Sequence, residues 1–256
     1  TVEVVRGATS SLYGSDAIGG VVGYLTLEPG DLLTPGAQQA LRLRLGATSD
    51  NQGLSQSVVG AWRGEQWQAL LGIGHASGGA TDNQGHDERT APSRTAPNPI
   101  GSQDRGVLAK FQTRLAAGHQ LRVGLEGRDQ QVSTDVRRLS ASLPKVTTML
   151  GDDHAQRARI SVEWEHQPVQ GTWYDQLTAR LYHQNALTRN DNDQVRSNTS
   201  ATCSASSGTG NTCIVDGRFS MDQQSYGLAL QAQKVLEQSA GVSHLLTYGL
   251  DAGVQR

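Results

Sequence analysis

Cys203 and Cys213 are the only cysteines of this 256-residue chain, and they stand close together inside a polar stretch, Thr188 to Asp216, rich in Ser, Thr, Gly, Asn and Asp. Two thiols so placed either share a soft metal ion or, in an oxidising compartment, close a small loop as a disulfide. A structural thiolate site normally has four ligands and no histidine stands nearby, so the disulfide is the preferred reading and no metal site is assigned. The seven histidines, His75, His86, His119, His154, His166, His183 and His244, lack the i, i+4 spacing of a preformed metal site. His86 lies in the hydrophilic run Gly85-His86-Asp87-Glu88-Arg89, and His154 stands at the head of an alternating segment. These two are the candidates for meeting a ligand. The sequence carries no Gly-x-Ser-x-Gly elbow, phosphate loop or zincin motif. Catalysis has no positive support, so the expectation is a protein that is not an enzyme, with no catalytic residue and no resident cofactor.

Composition narrows the classes further. With 22 basic and 24 acidic residues the formal charge is −2, so no basic footprint points to nucleic acid. Only 36% of residues are hydrophobic, Gly reaches 30, and the mean hydropathy is negative. No apolar run approaches the ~20 residues of a membrane helix. A transmembrane β-barrel remains open, because it alternates apolar and polar residues and hides its hydrophobicity from any average.

The elements that must position the candidate residues are strands of period two. Leu41-Arg42-Leu43-Arg44-Leu45 alternates strictly, and similar alternation recurs from Val107 to Leu115, from Leu121 to Glu126 and from Arg157 to Glu165. Nine strands are predicted: about 38–48, 53–63, 66–77, 105–115, 119–133, 154–166, 173–189, 217–235 and 243–256. After the first hairpin the links alternate: 64–65, 116–118, 167–172 and 236–242 are short, whereas 78–104, 134–153 and 190–216 are long. Outer-membrane barrels have short periplasmic turns and long extracellular loops, and a soluble sandwich has no reason to place every long loop at one end. Trp62, Trp67, Trp164 and Trp173 all fall beside short turns. That is where an interfacial aromatic girdle is expected.

The opening stretch adds a motif. Glu3-Val4-Val5-Arg6-Gly7 is followed by Ser10-Ser11-Leu12-Tyr13-Gly14 and by Ala17-Ile18-Gly19-Gly20-Val21, with short strands predicted over Val2–Val5 and Val21–Leu27. This run resembles the last part of the plug domain of TonB-dependent outer-membrane receptors, whose signature is an acidic-apolar-Arg-Gly strand end, Ser-x-x-Tyr-Gly, then Ala-x-Gly-Gly-Val. The signature positions are Arg6, Gly7, Tyr13, Gly14, Gly19 and Gly20. One departure is Gly23, where the family commonly has Asn.

The resemblance implies an all-β fold: a partial antiparallel transmembrane β-barrel, about nine strands of a larger wall, preceded by the C-terminal end of a plug. Residues 1–30 would be the plug's end, 31–37 a linker in a stretch, Glu28 to Gly36, that carries two Pro-Gly breakers, and 38–256 the first part of a barrel that in this family has about 22 strands. The chain opens inside a domain, without a signal peptide, and reads as a fragment. It implies a bacterial outer-membrane location, contact with lipid, and import energised by the TonB complex through an N-terminal box absent from these residues. On an oxidising cell surface the Cys203–Cys213 disulfide is favoured, and His86 and His154 become candidates for an extracellular ligand. Arg6, at a plug strand end, is expected to pair with lumen-facing carboxylates, Glu126, Glu163 and Glu165, latching plug to wall. His244-Leu245-Leu246-Thr247-Tyr248-Gly249-Leu250-Asp251 resembles a strand common in the haem and haemoglobin receptor branch. The expected ligand is therefore haem or a haemoprotein, carried as cargo. Ferric siderophore, cobalamin or oligosaccharide uptake is the alternative within the family, and a non-transporting surface barrel acting as adhesin the alternative outside it.

Overall fold

A computed structural model of the chain describes residues 2–6, 20–116, 118–139, 145–169, 173–197, 212–238 and 242–256. Two short strands, β1 (Val2–Arg6) and β2 (Gly20–Tyr24), pair antiparallel from Val2 opposite Tyr24 to Arg6 opposite Gly20. A 3-10 turn follows at Pro29–Asp31, closed by Glu28 and Asp31 capping each other's backbone. Nine strands then form one antiparallel sheet in strict chain order: β3 (Gln39–Thr48), β4 (Gly53–Arg63), β5 (Trp67–Gly79), β6 (Ile100–Ala116), β7 (His119–Asp135), β8 (Lys145–His166), β9 (Gln176–Ser197), β10 (Thr212–Gln238) and β11 (Val242–Gln255). This up-and-down order is a partial antiparallel β-barrel wall. Among the described residues there is no α-helix.

The number of wall strands matches the expectation, but β8, β9 and β10 run further than predicted. They begin or end at Lys145, Ser197 and Thr212, so the links at that end shrink to 136–144 and 198–211. The reason is physical. Asn190 to Ser197 carries no alternating apolar face, yet each residue pairs across to β10, as Asn192 does with Gly217. Backbone ladder bonds, with polar side-chain bonds such as Asn190 to Asp153 at 2.6 Å and Arg218 to Asp191 at 2.7 Å, hold this extension, and apolar alternation does not report it. The links joining β5 to β6, β7 to β8 and β9 to β10 share one end of the sheet. At the opposite end the β6–β7 turn is tight because Gly118 takes φ +78°, a conformation that favours glycine.

The sheet has two unlike faces. The segment after β2 lies along one of them: Thr26 donates to Glu126 at 3.4 Å, Glu28 pairs with Lys110, and Arg63 donates to the Leu33 carbonyl at 3.5 Å. Pro29 and Leu33 are buried, as are Val59, Ala61 and Leu70 on that face of β4 and β5. This inner face is otherwise polar. The outer face bears Leu41, Leu43, Leu45, Leu71, Ile73, Phe111, Leu125, Ile160 and Leu181, all exposed. Leaving so many large apolar side chains in water forfeits about 1.5–3 kcal/mol each, so this belt calls for an apolar medium. On β8 it runs from Trp164 through Val162 and Ile160 to Ala158 before Gln156 begins a polar zone. That is about 20 Å of strand at ~3.3 Å per residue, much of the extent of an outer-membrane apolar band.

The tryptophans lie at the short-turn end, as expected. Trp67 stacks with Phe111 at 6.3 Å between ring centroids, and His119 stacks with Trp164 at 5.6 Å and with His166 at 4.1 Å. His166 Nδ1 lies 2.9 Å from the Tyr174 hydroxyl, and the Tyr248 hydroxyl donates to the Trp173 carbonyl at 2.8 Å. This is an amphipathic girdle.

Candidate functional site

The inner face of β6 to β10 concentrates the charged groups. Cross-strand register places Arg122, Glu163 and Arg180 in one row over three strands. Glu163 accepts from Arg180 Nε at 2.7 Å and pairs on its other oxygen with Arg122. Arg122 also reaches Glu165 at 2.8 Å, and Glu165, 7% exposed, accepts from Gln167 at 2.7 Å. Glu126 lies nearer the long-loop end, 3.7 Å from Arg157. The three carboxylates singled out as latch partners therefore share the inner face and have wall arginines as neighbours. The side chain of Arg6 lies outside the described residues. The described ion pair between the post-β2 segment and the wall has the opposite polarity: the acid, Glu28, is on the segment and the base, Lys110, on β6.

A cleft of about 580 Å³ opens between this segment and the wall, with Thr26, Glu28 and Asp31 on one side and Arg122, Arg159 and Arg180 on the other. Above it, Arg159 sits over the Tyr182 ring, 4.7 Å from the centroid. Sequence reading missed Arg122, Arg180, Lys110 and Tyr182. Each sits in a visible period-two strand, but its partners depend on register across two or three strands.

The loop 80–99 is built around Asp87. Its carboxylate accepts from the Arg89 backbone at 3.1 Å, from Arg89 Nε at 2.9 Å and from Ser93 at 3.2 Å. Its carbonyl accepts from Thr95 and Ala96 at 3.1 and 3.0 Å. The Arg89 guanidinium, followed by its backbone N–H, holds the Asp87 carboxyl far below the usual carboxylate range. Arg94, 4% exposed, donates to the carbonyls of Glu88 and, at 2.6 Å, Pro97. His86 is exposed on this knotted loop. His154 is elsewhere: on the outer face of β8, bonded to Asp129 at 2.9 Å, beside Gln156 on the same carboxylate at 2.7 Å. The structure does not bring the two histidines together. Cys213 is buried in β10 and disulfide-bonded, while Cys203 lies outside the described residues, as do Gly7, Tyr13, Gly14 and Gly19. Gly20 opens β2 opposite Arg6. Among the described residues no group of three or more His, Cys, Asp or Glu side chains is placed to hold a metal ion.

No family profile matches the chain. Over 252 residues, 98% of its length, it is 25% identical to the Hemin receptor of Yersinia pestis, and over 253 residues it is 27% identical to the Hemin receptor of Yersinia enterocolitica. A stretch of 71 residues, 28% of the chain, is 34% identical to lactoferrin-binding protein A of Neisseria meningitidis. The similarity to the two receptors runs through the Gly-rich opening and the nine-stranded wall alike. The chain is thus similar over nearly its whole length to receptors named for hemin, in keeping with the resemblance of its opening to TonB-dependent outer-membrane receptors.

It spans about a third, 32%, of the length of the Yersinia relatives and 8% of the Neisseria protein. In a transmembrane β-barrel wall the apolar belt is the membrane face and the charged inner face lines the lumen. These relatives are named as receptors and a binding protein.

Proposed function

We propose that this chain is the plug end and early wall of a receptor that captures haem or a haemoprotein outside the cell and imports it with energy supplied through TonB. The observation carrying the reading is the similarity to two Hemin receptors over 98% of the chain. In this reading residues 1–30 end the plug, 31–37 link, and 38–256 are wall. Haem is cargo, not a resident cofactor. Exposed His86, on a loop stiffened by Asp87 and Arg94, is the ligand-facing candidate; His154, bonded to Asp129, belongs to the membrane-side rim. Arg6 joins the plug to the carboxylate row of Glu126, Glu163 and Glu165, and Cys203 pairs with Cys213.

A second reading is favoured by one observation, the 71-residue similarity to a lactoferrin-binding protein. In that reading the extracellular loops dock an iron-carrying host protein. Growth separates the two. An iron-starved strain expressing the full-length receptor is expected to grow on haem as sole iron source, and to stop when TonB is removed. Growth on iron-loaded lactoferrin but not haem supports the second reading. Growth on a ferric siderophore alone refutes both.

A further inference from the structure

We infer that Arg159, stacked on Tyr182, is a lumenal subsite for the carboxylate of a flat, conjugated ligand. Both residues lie on the inner face, on β8 and β9, beside the cleft between wall and segment. Gly227, directly opposite Tyr182 on β10, leaves a bed for the tyrosine ring: a Cβ there would stand 2.1 Å from its Cε1 atom. The stack therefore has three layers, glycine backbone, phenol ring and guanidinium, with 4.7 Å between the last two. Tyr182 holds the Arg159 guanidinium over its ring without accepting from its N–H groups.

Among the described residues Arg159 has no carboxylate within ion-pair distance. Glu126 stands opposite it in register but turns to Arg157, at 3.7 Å, and to Thr26. The other inner-face arginines nearby, Arg122, Arg180 and Arg128, all have acidic partners. A planar guanidinium held over an aromatic ring, with no acidic partner, matches a carboxylate attached to a planar ring: the carboxylate takes the N–H fork and the ring lies against the guanidinium. Arg157, two residues along the same face, is placed to share the charge. The adjacent cleft of about 580 Å³ is of small-molecule size.

This deepens the haem reading and rests on it. The test uses the full-length receptor in detergent, titrated with haemin and with haemin dimethyl ester, whose propionates are masked. Expected is an Arg159→Ala loss of haemin affinity of about tenfold to a hundredfold, with ester binding unchanged. Arg159→Lys, which keeps the charge but not the fork, should recover only part of it, and Tyr182→Phe, which keeps the stack, should bind like wild type. If Arg159→Ala weakens both ligands equally or neither, the subsite is overturned while the haem reading stands. If wild type binds neither ligand, the haem reading falls and takes the subsite with it.

Discussion

Replacing Glu163 by glutamine keeps the side chain's shape and removes one negative charge from between two guanidinium groups. Wild-type Glu163 is 14% exposed at its side chain, Arg122 34% and Arg180 52%. A hydrogen bond to a charged group contributes about 1.5–3 kcal/mol and a neutral one about 0.5–1.5. With the glutamine oxygen toward Arg180 that contact weakens by about 1 kcal/mol, while its N–H donors face Arg122 and the Arg122 contact, about 2 kcal/mol, is lost. Arg122 keeps Glu165 at 2.8 Å, so neither cation is stranded. The expected cost is about 3 kcal/mol in total. Where these contacts are lost in the unfolding transition state, that is roughly a hundredfold or more in rate at about 1.36 kcal/mol per decade. The assay is conversion of the full-length receptor from its compact to its unfolded electrophoretic form in detergent at fixed temperature. Adding Arg180→Gln to Glu163→Gln should cost less than the two single changes summed, because they remove one shared interaction. Unfolding of Glu163→Gln within threefold of wild type, with the double variant additive, would refute the row as a stabilising bridge.

Three other outcomes follow from the same geometry. Ile160→Arg on the membrane face should cost about 2–4 kcal/mol near the bilayer midplane and lower the amount of folded receptor in outer-membrane fractions, whereas Ser161→Arg, one residue along and facing the lumen, should not. Asp87 has its carboxyl depressed by Arg89. Its contribution to loop order is thus complete above the ordinary Asp value of about 3.9 and is lost only as pH falls through the lower folded value. Hydrogen-exchange protection over 80–99, taken relative to the intrinsic base-catalysed rate at each pH, should accordingly stay flat between about pH 5 and 8, while Asp87→Asn should lower it throughout. Non-reducing peptide mapping should recover Cys203 joined to Cys213; closing so short a loop restrains it by about 2–3 kcal/mol, and reduction should hasten proteolysis between residues 198 and 211.

What the sequence made legible was whatever the membrane imposes on it. Leu41, Leu43 and Leu45 alternate because every second side chain meets lipid, and the wall strands could be counted from that period. Above the belt no such demand exists. Gln194, Arg196 and Ser197 pair through the backbone ladder and polar side-chain bonds, with no apolar face, so the true ends of β8, β9 and β10 were invisible to alternation. The Gly-rich opening was readable as a motif because its residue types and spacing are distinctive. The inner-face row was half readable: Glu163 and Glu165 stood out as lumenal acids, but their wall partners follow from a register, Arg122 opposite Glu163 opposite Arg180, that pattern cannot supply. Gly227 shows the same limit more sharply. In sequence it is one glycine among 30, and only pairing with Tyr182 gives it a purpose.

The most direct test of the central claim is haem binding by the purified full-length receptor, followed at the Soret band with haemin and with a haemoprotein. The account expects a saturable shift at one site per receptor, diminished when His86 is replaced by alanine if the first long loop holds the iron and retained if other parts of the receptor do. The absence of a Soret change with either ligand, from a receptor shown to be folded, would contradict it.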